Sequence, residues 1–356
     1  MKTGCRRMVC AALDCVIAVL LAAGAGGCAG AGGGGTGGRT KHVAFVVPAQ
    51  LNFAVQMAEG FKAGAARVDG VTAETVGPDI VDGFKELQMF QGLTERAKDG
   101  ISVFTLTPEI FTKPMADAVK NDIPLIAVDN PPLATSGVKL FVGNDNYRLG
   151  KTLADQVIAE LPANTKGKIV LGTSTPGVKV LDRRARGMRD EIKAKLPGVR
   201  VMGPFDTKQE VGANLDAWTT LTEVNKDALA FLGTGDADGW NLAAIREKRK
   251  ATWVAGAFDL DPKSLEAVKK GQLVLVSPEH FMKGEVAGYL QAEHAKSGEA
   301  LPEGWLYTPG LAVNSSNVDA IIERQKSTEN IAKDVASEVD AILNDATYLK
   351  KLSDVS

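Results

Sequence analysis

With 356 residues, the chain exceeds the size at which a single hydrophobic core keeps growing, so two lobes or domains are expected. Hydrophobic residues make up 45% and charged residues 24%, which is ordinary for a soluble globular protein. The formal charge is −2 with no long block of either sign, which excludes the basic face of a nucleic-acid binder.

The N-terminus reads as a secretion signal. Lys2, Arg6 and Arg7 make a cationic start, and residues 15–23 (CVIAVLLAA) form an apolar run flanked by Asp14. That run is shorter than the roughly 20 residues needed to span a bilayer. Small residues then lead to Cys28, the last of four cysteines after Cys5, Cys10 and Cys15. Residues 25–28 (AGGC) resemble a bacterial lipobox, with Ala25 where Leu is usual. Acylation at Cys28 is the favoured reading over an ordinary signal-peptidase cut beside an incidental cysteine. Gly30, Gly32 and Gly35 match G-x-G-x-x-G, but a signal segment precedes them and a strand follows, so a phosphate-binding loop is rejected. Residues 1–27 are thus expected to be a signal peptide and 28–40 a flexible Gly-rich tether. One acyl chain anchors only marginally, so attachment to the membrane calls for the several that lipoprotein processing supplies.

From His42 onward strand and helix patterns alternate. Residues 42–47 (HVAFVV) read as a strand and 54–68 as a helix; 101–107 and 123–129 read as buried strands with a helix at 112–121 between them. A strand at 139–145, a helix at 147–161, a strand at 168–174 and a basic-faced helix at 181–196 follow. Later strands lie within 227–236, 252–259 and 272–279. Apolar strands interleaved with helices imply parallel sheets covered on both faces. The pattern also repeats: 123–132 (IPLIAVDNPP) and 252–262 (TWVAGAFDLDP) are each an apolar strand ending in Asp and followed by a Pro-containing loop. Two similar α/β lobes result.

In open α/β sheets ligands sit beyond the carboxyl ends of the strands. There the chain places Asn52 and Phe53; Asp129 and Asn130; Asn144 and Asp145; Arg183, Arg184 and Arg186; Asp236, Asp238 and Trp240; Phe258, Asp259 and Asp261; and Glu279. Carboxylates, amides, Arg and aromatics suit a polyhydroxylated ligand, because charge-assisted hydrogen bonds to hydroxyls are roughly twice as strong as neutral ones. The bland reading of Asp129, Asp236 and Asp259 is helix N-capping, about as common a role for any one of them. Phe53 and Phe258 suit a core as well, Trp240 packing under its helix, and the three arginines a solvated surface. Residues 234–239 (TGDADG) fail as a calcium loop, since Thr234 and Ile245 hold the positions of the first and last ligands. Ser174 lacks a nucleophile elbow. His42, His280 and His294 have no metal spacing, and only His280 lies near the expected cleft. No catalytic acid, base or nucleophile stands out, and no cofactor is implied.

The segments VAFVVPAQLNFAVQMAEGFKAGA, IPLIAVDN, VGNDNYRLGK, RRARGM, FLGTGDADGWNLAAI, VAGAFD and LVLVSPE occur in this order. On them, the chain from about residue 42 to 317 resembles the ribose-binding-protein branch of the type I periplasmic binding proteins, receptors that hand sugars to ABC importers. The resemblance implies two Rossmann-like lobes, each a parallel sheet with helices on both faces, joined by three hinge crossings. The lobes would span 41–144 plus about 280–308, and 145–279 plus about 309–318, with 319–356 a helical extension of no assigned role. It also implies sugar contacts at Asn52, Phe53, Asp129, Asn144, Arg184, Asp236, Phe258 and Asp259. Asn130 stands where relatives often have Arg, Gly235 where they have an amide, and Glu279 where ribose binders have an amide. The implied protein is a monomer without enzymatic activity. It captures a monosaccharide or sugar alcohol of pentose or tetritol class and delivers it to ABC permease and ATPase subunits, while anchored by lipid outside the cytoplasmic membrane. A furanosyl signalling molecule as ligand, or a sensor kinase as partner, is the alternative. A gene-regulator effector domain of the same fold would need a helix-turn-helix where the signal lies. Hinge closure requires a ligand held by both lobes, here Phe53 and Asp129 against Arg184, Asp236 and Asp259.

Overall fold

The computed structural model describes residues 39–355. The expected signal segment, Cys28 and the tether through residue 38 lie outside the described residues.

The first lobe opens with β1 (Lys41–Val46), α1 (Asn52–Ala65), β2 (Val71–Val76), α2 (Gly83–Arg96), β3 (Ile101–Val103), α3 (Pro108–Lys120), β4 (Leu125–Val128) and β5 (Leu140–Gly143). The second lobe follows as α4 (Asn146–Ala159), β6 (Gly167–Thr173), α5 (Lys179–Lys195), β7 (Val199–Asp206), α6 (Val211–Val224), β8 (Ala230–Leu232), α7 (Asp236–Arg249), β9 (Val254–Phe258), α8 (Pro262–Lys269) and β10 (Val274–Ser277). The chain returns to the first lobe with α9 (His280–Ser297) and β11 (Gly304–Tyr307). It passes to the second with β12 (Leu311–Val313) and α10 (Val318–Arg324), and ends on the first with α11 (Thr328–Asn344) and β13 (Leu349–Lys350).

Strand order is β13-β11-β5-β4-β3-β1-β2 in one sheet and β12-β10-β9-β8-β6-β7 in the other. All pairs are parallel except β11–β13 and β10–β12 at the edges. Side chains alternate across each sheet. In β1, Val43 and Phe45 join the core under α1, α9 and α11, while Ala44 and Val46 join the core under α2 and α3. In the second lobe Val170, Phe231, Ala255 and Leu275 face α6, α7 and α8, and Ile169, Leu171, Leu232 and Val276 face α4 and α5. Two-sided cover is why β4, β8 and β10 are buried along their whole length.

Close helix pairs bring the site elements together. A methyl group on Gly60 of α1 would overlap the Phe281 carbonyl, and one on Gly284 of α9 the Met57 carbonyl. The second lobe does the same with α4 and α5: a Cβ on Gly150 would meet the Arg184 carbonyl, and one on Gly187 the Tyr147 carbonyl. These notches seat the first turn of α9 and the second turn of α5 at the strand ends.

The chain crosses between lobes around 143–146, 277–280 and 307–311. Residues from 319 onward add a fourth passage between α10 and α11 and are no loose extension. Val318 and Ile321 of α10 enter the second core, and Ile331, Val335, Val339 and Ile342 of α11 enter the first. That second set is the apolar stripe of an amphipathic helix, spaced four, four and three residues apart.

Candidate functional site

The carboxyl ends of both sheets face one narrow cleft, with a free volume of about 40 Å³. Phe53 and Asp129 line it from the first lobe, and Arg184, Asp236 and Asp259 from the second. These five of the expected contacts converge.

Asp129 and Asp259 occupy equivalent turns. Each follows a buried strand, adopts a left-handed backbone (φ +64° and +75°) and donates its N–H to the neighbouring strand, at Val142 O (2.9 Å) and Val276 O (3.1 Å). The repeat in the sequence is therefore a repeated turn. Non-glycine residues are uncommon in this conformation, and Asp is among those that tolerate it. None of the three aspartates caps a helix: Gly235 precedes α7, Asp261 caps α8, and Asp129 leads into a loop.

Their charge states differ by environment. Burial raises the Asp129 carboxyl, but Lys283, His280 and Arg184 outweigh it and hold it below the usual carboxylate range. Asp259 is likewise lowered despite burial, by His280, Arg184 and Lys283. Asp236 is pushed well above its ordinary value by burial and by the charges of Asp259, Asp261 and Asp238. Its Oδ1 is buried without a partner, as are Ser174 Oγ and His280 Nδ1 in the same cleft. Buried polar atoms are normally satisfied, so three together in a cleft mark places for ligand hydroxyls. Arg184 is held in place to donate there, with Nε bonded to Asn146 Oδ1 and Nη1 to Thr234 O, both at 2.9 Å.

Five other expected contacts do not line the cleft. Asn52 starts α1 beside Phe53 and binds Gln56 Nε2 (3.3 Å). Asn130 donates to Thr105 O (2.9 Å), bracing the end of β3; Thr105 in turn donates to Glu86, a buried acid pushed up to about 8 by desolvation. Asn144 is taken by the hinge, donating to Thr308 O (2.8 Å) and accepting from Lys283 (2.9 Å). Phe258 is wholly buried with its ring 4.4 Å from the Arg184 guanidinium carbon, so it supports that residue from behind. Glu279 is the clearest correction. Arg324 of α10 donates Nη1 to its Oε2 and Nη2 to its Oε1, both at 3.0 Å, which leaves no carboxylate for a ligand. Arg324 also reaches Asp334 of α11 (3.1 Å), so the bridge ties both C-terminal helices to the second crossing. Arg324→Met is expected to strand the buried Glu279 charge and lower unfolding free energy by about 3 kcal/mol or more in urea melts. Asp334→Asn, at a half-exposed carboxylate, is expected to cost less than about 1 kcal/mol.

Other site residues were not singled out by sequence. Leu106 of the first lobe packs on Val178, Val180 and Leu181 of the second, an apolar lip on the cleft. Phe104 meets Phe53 edge-on at 6.0 Å. Lys283, fully buried, donates to Asp129 across the floor. A lysine inside the apolar first turns of α9 (HFMKGEVAG) was its one signal. Among the described residues, no group of three His, Cys, Asp or Glu side chains is placed to hold a metal.

Two doubly wound lobes, with charged strand ends opposed across a cleft and a hinge of several crossings, define a two-lobed binding protein of type I architecture. The profile of a periplasmic binding protein domain matches residues 43–300, and the chain belongs to that family. It is 24% identical over 261 residues to the D-allose-binding periplasmic protein of Escherichia coli (strain K12), covering 70% of this chain and 83% of that one. Similar solved structures include an Agrobacterium radiobacter carbohydrate transporter solute-binding protein in complex with D-arabinose (TM-score 0.73, 22% identity, 81% of this chain and 99% of that one). An Agrobacterium vitis ABC transporter solute-binding protein with bound D-fucose gives 0.71, at 20% identity over 82% and 99%. At these identities the structures establish the fold.

Proposed function

We propose that the protein captures a monosaccharide or small sugar alcohol, of pentose or tetritol class, and delivers it to an ABC importer. It does so outside the cytoplasmic membrane, held there through an acylated Cys28. The observation that carries this reading is the convergence of Asp129 from one lobe with Asp259, Asp236 and Arg184 from the other, among buried polar atoms that lack partners. Two carboxylates held low accept from neighbouring hydroxyls, Asp236 adds a third carboxyl with a raised proton affinity, and Arg184 donates. Phe53 and Phe104 offer apolar faces to the C–H side of a sugar. One relative is named for binding D-allose, and two similar structures hold D-arabinose and D-fucose, which supports the ligand class.

A ligand that touches both lobes favours the closed form. Moving the lobes from mostly open to mostly closed takes about 5.5 kcal/mol of differential contact, within reach of two or three charge-assisted bonds of about 1.5–3 kcal/mol each. Calorimetric titration with pentoses, hexoses, inositols and alditols tests this. Heat with at least one of them, and compaction by X-ray scattering on its addition, are expected. No heat with any, and no compaction, overturns the proposal.

A further inference from the structure

We infer that His280 reads a ligand hydroxyl through Nδ1, and that protonation of this nitrogen releases the ligand. The inference rests on the cleft being the sugar site.

His280 is the first residue of α9, directly after the second crossing, and packs with the first lobe. Its Nε2 nevertheless lies 2.9 Å from Asp259 Oδ1 of the second lobe. Its Nδ1 lies 4.0 Å from Asp129 Oδ1, beyond hydrogen-bond distance, and is buried with no partner. The ring is thus strung between the two equivalent aspartates, with Phe53 against it (centroids 6.0 Å apart).

The tautomer follows from the neighbours. An ionised Asp259 only accepts, so Nε2 carries the proton of the neutral ring and Nδ1 presents a bare lone pair. The nearby cation on its own helix, Lys283, is committed to Asp129 and Asn144. Arg184, from α5, is committed to Asn146 and Thr234 through Nε and Nη1. Asp236, from α7, lines the same cleft, its carboxyl raised by burial and by the nearby Asp259 charge. A hydroxyl of a ligand held in the cleft is a donor that would fit there.

A proton on Nδ1 inverts this geometry. The nitrogen becomes a donor facing Asp129, and the imidazolium then bridges carboxylates of both lobes where the ligand hydroxyl would sit. Burial and the Lys283 charge lower the proton affinity of the ring, with Asp259 and Asp129 opposing, so it is neutral near pH 7. The ligand binds the neutral ring. Affinity is therefore complete above the folded-state pKa of His280 and falls as pH drops through it, by up to about tenfold per pH unit.

The test is calorimetric titration of the whole protein with the sugar that binds it best, at about pH 8 and about pH 5. The wild type is expected to weaken on acidification, progressively as pH falls through the lowered pKa of the ring. In His280→Asn the amide oxygen stands at the Nδ1 position and accepts from the hydroxyl but does not titrate, and the contact of Nε2 with Asp259 is lost. That variant should bind more weakly at the higher pH but vary less than about threefold across the range. His280→Phe keeps the ring and loses both nitrogens, so it should bind at least about tenfold more weakly at the higher pH. A pH slope in His280→Asn equal to wild type, or wild-type binding by His280→Phe, overturns the inference. Nitrogen NMR of the wild type needs no variant to fold, and the chain has only three histidines to assign. Sugar should shift His280 Nδ1 while Nε2 stays protonated, and an unmoved Nδ1 overturns it. A wild type that binds sugar with a flat pH profile rejects this inference alone, whereas one that binds no sugar rejects the functional proposal and this inference with it.

Discussion

Replacing Lys283 with methionine should lower unfolding free energy by about 3–5 kcal/mol. The ammonium is fully buried and donates to Asp129 and to Asn144 Oδ1 (2.9 Å), so methionine fills its volume and leaves a buried carboxylate without its cation. A second change separates that stranded charge from simple loss of packing. Asp129→Asn in the Lys283→Met background removes the uncompensated charge, and about half or more of the loss should return, since neutral replacement of a buried pair is often tolerated. Asparagine is the right partner because the backbone at 129 is left-handed (φ +64°), which asparagine tolerates and leucine does not. Urea midpoints at matched slope check both steps. Equal instability of single and double variants would show that the lysine matters for packing alone. The pair also sets an acid limit. Asp129 is held below its unfolded value, so its contribution is present above that value and is lost as pH falls through the depressed folded one.

How far the sequence foretold this site depends on the range of the signal. The strand ends were legible because they rest on local pattern: buried apolar runs end at Asp129 and Asp259, and the parallel fold sends those ends to the cleft. Their equivalence was legible too, since the same turn is written twice. Contacts made at long range were not. Glu279 looked like a free carboxylate because its partner, Arg324, lies 45 residues on in a helix past the family's usual end. Asn144 looked like a ligand contact because nothing local shows that Thr308 and Lys283 take both ends of its amide. Phe258 ends a strand, which points to the cleft, but strand side chains alternate and this one turns to the core under Arg184. His280 and Lys283 share one face at a spacing of three, a detectable pattern whose meaning needs the aspartates that the fold brings to them. The sequence reading of 319–356 as a helical extension gave it no role; the structure adds that Ile331, Val335, Val339 and Ile342 of α11 are buried in the first core.

Asp259→Asn should weaken sugar binding about 10- to 150-fold while leaving the fold intact. A carboxylate that accepts from ligand hydroxyls contributes about 1.5–3 kcal/mol through its charge, which converts to that range of affinity. Asparagine keeps one acceptor and the left-handed turn (φ +75°), whereas alanine would add backbone strain and confuse the reading. The same substitution loosens the His280 contact between lobes, because a neutral amide attracts the imidazole N–H less than a carboxylate does. Loss of affinity should therefore come with less compaction at a given sugar concentration. Asp261→Asn is the matched control two residues on. Its carboxylate caps α8 through the Lys263 N–H (2.7 Å) and does not line the cleft, and asparagine caps as well as aspartate. Titration calorimetry should find Asp261→Asn indistinguishable from wild type. Binding by Asp259→Asn within about twofold of wild type, below what one lost charge-assisted bond would cause, would remove this aspartate from the site and with it the second lobe's principal hold on the ligand.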